Sequence, residues 1–156
     1  AWESEAFAAA SLDVRCVALR IGIVLAREGG ALPRMALPFR RGRGGRLGGG
    51  RQWVPWIHAD DVVSLIRAAL RDDAYSGPLN AVAPEPVRNA ELTSVLARAL
   101  HRPAVFALPA FALRAALGEL SGELLDSRRC VPQRALARGF RFAHPRIDSA
   151  LAAELA

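Results

Sequence analysis

The residues best suited to chemistry lie close together between positions 46 and 58, in the segment RLGGGRQWVPWIH. His58 is a candidate because an imidazole titrates near neutral pH and can exchange a proton or hold a polar ligand. Trp53 and Trp56 follow a glycine-rich stretch, where two indole rings could form the walls of a pocket for an apolar or ring-shaped substrate. Structural roles stay open: His58 could cap a helix or pack, and at least one tryptophan could belong to the core.

Several kinds of site are excluded by composition. Lysine is absent, so all 21 basic residues are arginine, and the chain cannot supply a Schiff-base lysine, a P-loop lysine or a Tyr-x-x-x-Lys pair. Tyr75 is the only tyrosine, and no catalytic residue is predicted. Cys16 and Cys130 are too few for a disulfide framework or a structural zinc site, which makes a reducing compartment the expectation. His101 and His144 have no partners at metal-ligand spacing, so no metal site is predicted.

The formal net charge of +6 is concentrated in one segment. No acidic residue lies between Glu28 and Asp60, whereas six arginines do: Arg34, Arg40, Arg41, Arg43, Arg46 and Arg51. The stretch RRGRGGRLGGGR resembles a short RGG-type tract, and the pI of about 11.0 fits a nucleic-acid binder. Such tracts are usually longer, and WVPWIH follows at once as an ordered strand would. Nucleic-acid binding is therefore the less favoured interpretation, beside a solvated loop or a contact with an anionic ligand.

The elements that would position these residues are of mixed α and β type. Trp2–Leu12 has helical spacing, and Val14–Leu25 is an almost continuous aliphatic run, which predicts a parallel strand buried on both faces. Because few other strand candidates exist, we expect its partners in an N-terminal portion that precedes this sequence. Gly42–Gly50 predicts a loop or hairpin tip, and Gln52–His58 predicts a short strand that either lies at a sheet edge or bends at Pro55.

The second half of the sequence is mainly helical. Asp60 and Asp61 begin an amphipathic helix that runs to about Arg71, and adjacent helical positions do not face each other, so a carboxylate dyad is not predicted. Phe140–Phe142 alternates like a small strand, and Asp148–Leu155 predicts a terminal helix that frays. No apolar run reaches the roughly 18 residues of a membrane span, and no secretion signal is visible. We expect a soluble, cytoplasmic protein.

Four stretches, in this order, carry a resemblance to a known family: RIGIVLAREGGAL, GRLGGGRQWVPWIHADD, GPLNAVAPEPVRNAEL and VPQRALARGFRF. The chain resembles the C-terminal half of extended short-chain dehydrogenase/reductases. Within them it is most similar to the NAD-dependent epimerase/dehydratase-like branch, whose members are described as sugar-nucleotide epimerases or cell-division inhibitors. The last stretch resembles a small C-terminal extension of that branch. The resemblance covers nearly the whole chain.

The resemblance implies an α/β fold, namely the C-terminal part of a Rossmann-like fold with a substrate-side subdomain of short strands and several helices. Three segments are implied: residues 1–28 as the last part of the core, 29–117 as the substrate-binding subdomain and 118–156 as the extension. The implied cofactor is NAD or NADP in the full-length parent, and this chain alone is not expected to bind it tightly. The implied cofactor-contacting residues are Ile21, Gly22, Ile23 and Val24.

The resemblance also places the chemical segment across a substrate cleft, where an arginine could meet an anionic group. The implied substrate-binding residues are Arg46, Gln52, Trp53, Trp56 and His58. Related nucleotide-sugar enzymes carry an arginine four residues before this histidine, and Val54 stands there instead, which argues against a nucleotide-sugar substrate. Because the dinucleotide fingerprint and the Tyr-x-x-x-Lys pair are absent, we expect a fragment that is inactive alone. Its expected partners are a small-molecule substrate and a missing N-terminal cofactor domain.

A hypothesis of a different class is a stand-alone binding or oligomerisation module. The apolar run Val14–Leu25 would then pair with a second chain, because an uncovered strand edge favours association. A homodimer would be the expected product. An Arg/Gly-rich nucleic-acid binder is the other variant of this hypothesis.

Overall fold

The computed structural model describes residues 2–155, and for residues 9, 10, 116, 117, 120 and 123 it describes the backbone alone. Ala1 and Ala156, the outer bounds of the predicted segments 1–28 and 118–156, lie outside the described residues. The helices are α1 (Trp2–Ala8), α2 (Leu32–Arg40), α3 (Ala59–Arg71), α4 (Asn89–Ala99), α5 (Ala110–Leu117), α6 (Leu120–Leu125), α7 (Gln133–Ala137) and α8 (Ile147–Leu155). The strands are β1 (Val17–Ile21), β2 (Ile23–Leu25), β3 (Gly45–Leu47), β4 (Trp53–Val54), β5 (Trp56–His58), β6 (Gly77–Ala81), β7 (Val87–Arg88) and β8 (Phe106–Leu108).

Two short parallel pairs form the centre of the fold. β1 pairs with β6, β2 pairs with β5, and Gly22 separates β1 from β2 along one run of chain. A Cβ atom on Gly22 would lie 2.8 Å from the Pro55 carbonyl oxygen, so glycine is required for this close approach. At the periphery, β3 pairs in parallel with β8, and β4 pairs antiparallel with β7. The result is a mixed α/β fold with short parallel strands, as predicted.

The prediction that Val14–Leu25 is one strand buried on both faces is wrong. The strand begins at Val17 and is divided in two, and of its residues Leu25 alone is fully buried, whereas Ile21 is 50% exposed. Both of its partner strands, β6 and β5, lie downstream in this chain. Among residues 2–155, β1 pairs with β6 alone, so its other edge meets no strand. Val14–Leu25 is therefore more apolar than the partial burial of its side chains by the described residues would require.

Two clusters of buried side chains hold the elements together. The first contains Trp56, Leu96 and Leu151 and joins β5, α4 and α8. The second contains Leu65 and Leu79 and joins α3 to β6. The predicted terminal helix is confirmed: α8 packs against α4, and the Leu151 side chain is fully buried in the first cluster.

The glycine-rich segment contains a strand where a loop or hairpin tip was predicted. β3 lies inside it, and a Cβ atom on Gly45 would lie only 1.7 Å from the Phe106 carbonyl oxygen of β8. Any side chain at this position would push the two strands apart.

The predicted strand at Phe140–Phe142 is absent, and the two rings instead pack edge to face with centroids 4.8 Å apart. The predicted bend at Pro55 is confirmed, since it divides β4 from β5.

The helix after β5 agrees closely with its sequence pattern. α3 spans Ala59–Arg71, with two acidic residues in the first turn and with Leu65 and Ala69 buried. Acidic side chains in a first turn favour the helix because they lie near the positive end of its dipole. Across the part of the chain that the structure describes, none of the helices is both apolar and long enough to cross a membrane.

Candidate functional site

His58 is the last residue of β5 and the N-cap of α3. Its Nδ1 accepts a hydrogen bond from the Asp60 backbone N–H at 3.1 Å, and the side chain is only 3% exposed. The accepting nitrogen carries no proton, so the proton of the neutral ring is on Nε2. Nε2 lies 2.8 Å from Oε1 of Glu154, but the angle is too poor for a hydrogen bond. Among the alternatives for His58, capping and packing are therefore both observed.

Two carboxylates fasten the C-terminal segment to this part of the chain. Asp61, almost fully buried, accepts hydrogen bonds from the backbone N–H groups of Ala143 at 2.7 Å and His144 at 3.0 Å. Glu154, on α8, accepts a hydrogen bond from the Arg27 backbone N–H through its carboxylate. The Nε of Arg27 also donates to the Glu154 backbone carbonyl oxygen at 2.9 Å. The start of α3 and the end of β2 are thus both tied to residues of the C-terminal segment.

A second imidazole completes this region. The His144 ring stacks on the His58 ring with centroids 3.7 Å apart and planes at 25°, and its Nε2 lies 3.7 Å from Oδ2 of Asp60. We call His58, Asp60, Asp61, His144 and Glu154 the histidine–carboxylate cluster. The sequence pattern predicts Asp60 and Asp61 at a helix start and offers His144 no partner at metal-ligand spacing. The histidines and Glu154 are far apart in sequence, so no spacing signal could have joined them.

The two tryptophans have different environments. Trp56 is buried in the first core cluster, and its indole N–H donates to the Glu85 carbonyl oxygen at 3.3 Å. Trp53 is half-buried, and its ring lies 4.6 Å from the guanidinium carbon of Arg88 and 5.4 Å from that of Arg129. Guanidinium groups this close to an indole face form favourable cation–π contacts. Trp56 is thus part of the core, whereas Trp53 remains accessible beside two cations.

Arg46 lies in β3, and Gln52 follows the turn after that strand. The Gln52 amide is buried and donates to the carbonyl oxygens of Leu47 at 3.1 Å and Leu124 at 3.3 Å, which holds the turn against α6. Arg46 is exposed and lines an open cavity of about 940 Å³ between α4 and β8. The other four substrate candidates do not line it. The structure therefore does not gather the five predicted substrate-binding residues around one cavity.

The predicted cofactor-contacting residues Ile21–Val24 lie at the carboxyl end of β1 and along β2. Gly22 donates its N–H to the Ala81 carbonyl oxygen at 3.0 Å, and Ile23 donates to the Pro55 carbonyl oxygen at 2.8 Å. In open α/β sheets, ligands bind outside the carboxyl ends of the strands. The half-exposed Ile21 lies at such an end and so occupies a position suited to a ligand contact.

Tyr75 does not resemble a proton-transfer group. Its side chain is buried in the second core cluster. Burial raises the pKa of its phenol above the usual value and nearby Asp72 adds to the rise, while Arg138 opposes it. A tyrosine that exchanges protons near neutral pH needs a shift in the other direction. The only phenol of the chain is therefore unsuited to that chemistry.

Comparison with known proteins finds similar sequences among epimerase family proteins. Residues 108–154 match a family described as a domain of unknown function, DUF1731. The chain is 43% identical over 152 residues to the chloroplastic "Epimerase family protein SDR39U1 homolog" of Arabidopsis thaliana, a match that covers 97% of this chain and 44% of the relative. The chain thus spans about half the length of the curated relatives it matches.

Two solved structures show the same fold over nearly the whole chain. The human epimerase family protein SDR39U1 (isoform 2), solved with NADPH, superposes with a TM-score of 0.87 at 38% identity, covering 91% of this chain and 48% of the human protein. A nucleoside-diphosphate sugar epimerase from Corynebacterium glutamicum superposes with a TM-score of 0.78 at 32% identity, covering 99% of this chain and 29% of that protein. The predicted fold class is confirmed.

Proposed function

Since the chain is homologous over almost its whole length to epimerase family proteins of the extended short-chain dehydrogenase/reductase type, we propose that it forms the substrate-side half of an NAD(P)-dependent epimerase or oxidoreductase. The observation that carries this proposal is the superposition on the NADPH-bound human relative, of which the chain covers 48%. The remaining part of such a protein would hold the dinucleotide-binding turn and the catalytic tyrosine and lysine.

This chain's own contribution to the cofactor site would come from the junction of β1 and β2. When bound, a nicotinamide cofactor supplies hydride transfer. Ile21 offers a half-exposed aliphatic side chain at the carboxyl end of its strand. We propose that Ile21–Val24 form the apolar wall against which the nicotinamide ring is held.

On the substrate side, Arg46 and Trp53 are the residues that remain accessible. We propose that Trp53, whose ring lies beside the guanidinium groups of Arg88 and Arg129, contacts an apolar or ring-shaped part of the substrate. Gln52, Trp56 and His58 would act by positioning, because each is buried and engaged in contacts within the chain. The proposed segments remain 1–28, 29–117 and 118–156.

The chain by itself should not catalyse the reaction. It contains no lysine, and its only tyrosine is buried with a raised pKa. The test is an NADPH oxidation assay on the purified 156-residue chain with a panel of aldehydes and ketones. We expect no rate above that of a heat-denatured sample. Turnover that scales with the concentration of the folded chain would overturn the proposal.

A second candidate function is favoured by the open edge of β1. Among the described residues this edge meets no strand, and Ile21 of β1 is half-exposed. An uncovered strand edge can add a strand from another chain, so a second copy could pair there. Sedimentation equilibrium tests this second function. A concentration-dependent dimer would support self-association, and a monomer at all concentrations would contradict it.

A further inference from the structure

Three atoms that commonly bind metal ions converge beside the start of α3. One potential ligand atom from each of His58, Asp60 and His144 lies within 4.8 Å of the other two. Oδ2 of Asp60 is 3.7 Å from Nδ1 of His58 and 3.7 Å from Nε2 of His144. Ligand atoms bound tetrahedrally to one ion at about 2.0–2.2 Å are roughly 3.4 Å apart. Two of the three separations are therefore within a few tenths of an ångström of the value a shared ion requires.

The types of atom favour one class of ion. Two imidazole nitrogens and one carboxylate oxygen suit zinc and its transition-metal neighbours, whereas magnesium and calcium prefer oxygen ligands throughout. The Asp60 side chain is 74% exposed, so water can reach the open side and complete the coordination. The His58 side is closed, since that ring is buried.

The second nitrogen of His58 lies beside a carboxylate. Nε2 is 2.8 Å from Oε1 of Glu154, and it has no hydrogen-bond partner in the described part of the chain. In metal sites, the ligating histidine usually turns its other ring nitrogen toward a carboxylate, which orients the ring and increases its basicity. A small rotation of His58 toward an ion would align this N–H with Glu154.

Coordination would require two local adjustments. His58 Nδ1 now accepts the Asp60 backbone N–H, and an ion would replace this hydrogen bond. The two rings are stacked at 25°, so the His144 ring must turn to aim its nitrogen at the ion. His144 lies in the loop before α8 and is partly exposed, which leaves room for that turn. One cap hydrogen bond is a small cost beside three coordinate bonds.

We propose that His58, Asp60 and His144 form a binding site for a zinc-type divalent transition-metal ion, with water as the remaining ligand. The ion joins the first turn of α3 to the C-terminal segment, next to the hydrogen bonds that Asp61 already makes there. This inference does not depend on the proposed function.

The test is a titration of the metal-free 156-residue chain with Zn²⁺, measured by isothermal calorimetry in the presence of a competing chelator. We expect one saturable site. His144→Ala and Asp60→Asn each remove one ligand and should lower the affinity at least about 100-fold, since the loss of an outer-shell partner alone costs 10–100-fold. His101→Ala is the matched control, because this exposed histidine lies outside the cluster. The affinity of this variant for Zn²⁺ should stay within twofold of wild type.

A substitution at His58 would also remove the N-cap hydrogen bond of α3 and open a buried site, so the ligand variants are placed at Asp60 and His144. The folding of each variant is checked by near-UV circular dichroism. Zn²⁺ should also raise the melting temperature of the wild-type chain and of His101→Ala but not that of His144→Ala. Absence of saturable binding, or equal losses in His101→Ala and His144→Ala, would overturn the proposed site.

Discussion

Asp61 should be one of the most sensitive positions in the chain, because its buried carboxylate holds the C-terminal segment. It accepts two backbone hydrogen bonds, at 2.7 Å and 3.0 Å, from residues 143 and 144. A hydrogen bond to a charged group contributes about 1.5–3 kcal/mol. Asp61→Ala removes both bonds and should lower the free energy of unfolding by about 3–5 kcal/mol. Asp61→Asn keeps one accepting oxygen and should cost roughly half as much.

The measurement is urea unfolding followed by far-UV circular dichroism, together with amide hydrogen exchange. Exchange should accelerate first at residues 141–155, because the lost bonds fasten that segment. Asp60→Asn is the matched control: it changes the neighbouring acidic residue, whose side chain is 74% exposed, and should cost less than about 1 kcal/mol. If Asp61→Ala and Asp60→Asn destabilise the chain equally, the carboxylate does not hold the segment.

Three further perturbations test other contacts. Gly45→Ala would put a Cβ atom 1.7 Å from a β8 carbonyl oxygen and should lower the free energy of unfolding by more than about 2 kcal/mol in chemical denaturation. The control Gly122→Ala meets nothing within 4 Å and should be nearly neutral, so equal effects of the two variants would contradict the close approach. Leu151→Ala should cost about 2–5 kcal/mol in the same assay, and a cost below about 1 kcal/mol would show that α8 is not docked. The hydrogen bond from Arg20 lowers the pKa of Glu3, so an NMR titration of the Glu3 carboxyl should give a pKa below the usual value for glutamate. In Arg20→Gln the pKa of Glu3 should rise toward that usual value, and an unchanged pKa would refute the ion pair.

Elements defined by local pattern were predictable from the sequence. The amphipathic pattern after His58 predicted the bounds of α3 closely, and Pro55 correctly predicted the bend before this helix. In both cases the signal lies within a few residues, in side-chain periodicity or in the fixed geometry of proline.

Features that depend on distant partners were not predictable. β3 lies in a glycine-rich stretch that has no strand character of its own, and it exists because β8 pairs with it. The aliphatic strand β1 was expected to be buried, but an apolar sequence cannot report whether its neighbours are present. The histidine–carboxylate cluster belongs to the same class, since His144 and Glu154 reach His58 through folding alone.

The segment 46–58 contains an accessible arginine and an accessible tryptophan, whereas Trp56 and His58 are buried. Residue type alone could not predict this difference in exposure, because packing against residues distant in sequence decides it. The indole N–H and the imidazole nitrogen of these residues both serve contacts within the chain.

The central claim is that this chain is one half of a cofactor-dependent site and needs another part to bind the cofactor. The most direct measurement is NADPH fluorescence titration of the 156-residue chain alone, and of the same chain joined to the part of the NADPH-bound human relative that it does not match. We expect no saturable binding by the chain alone and saturable binding by the joined protein. Equally tight binding by the chain alone, or a folded joined protein that fails to bind, would contradict it.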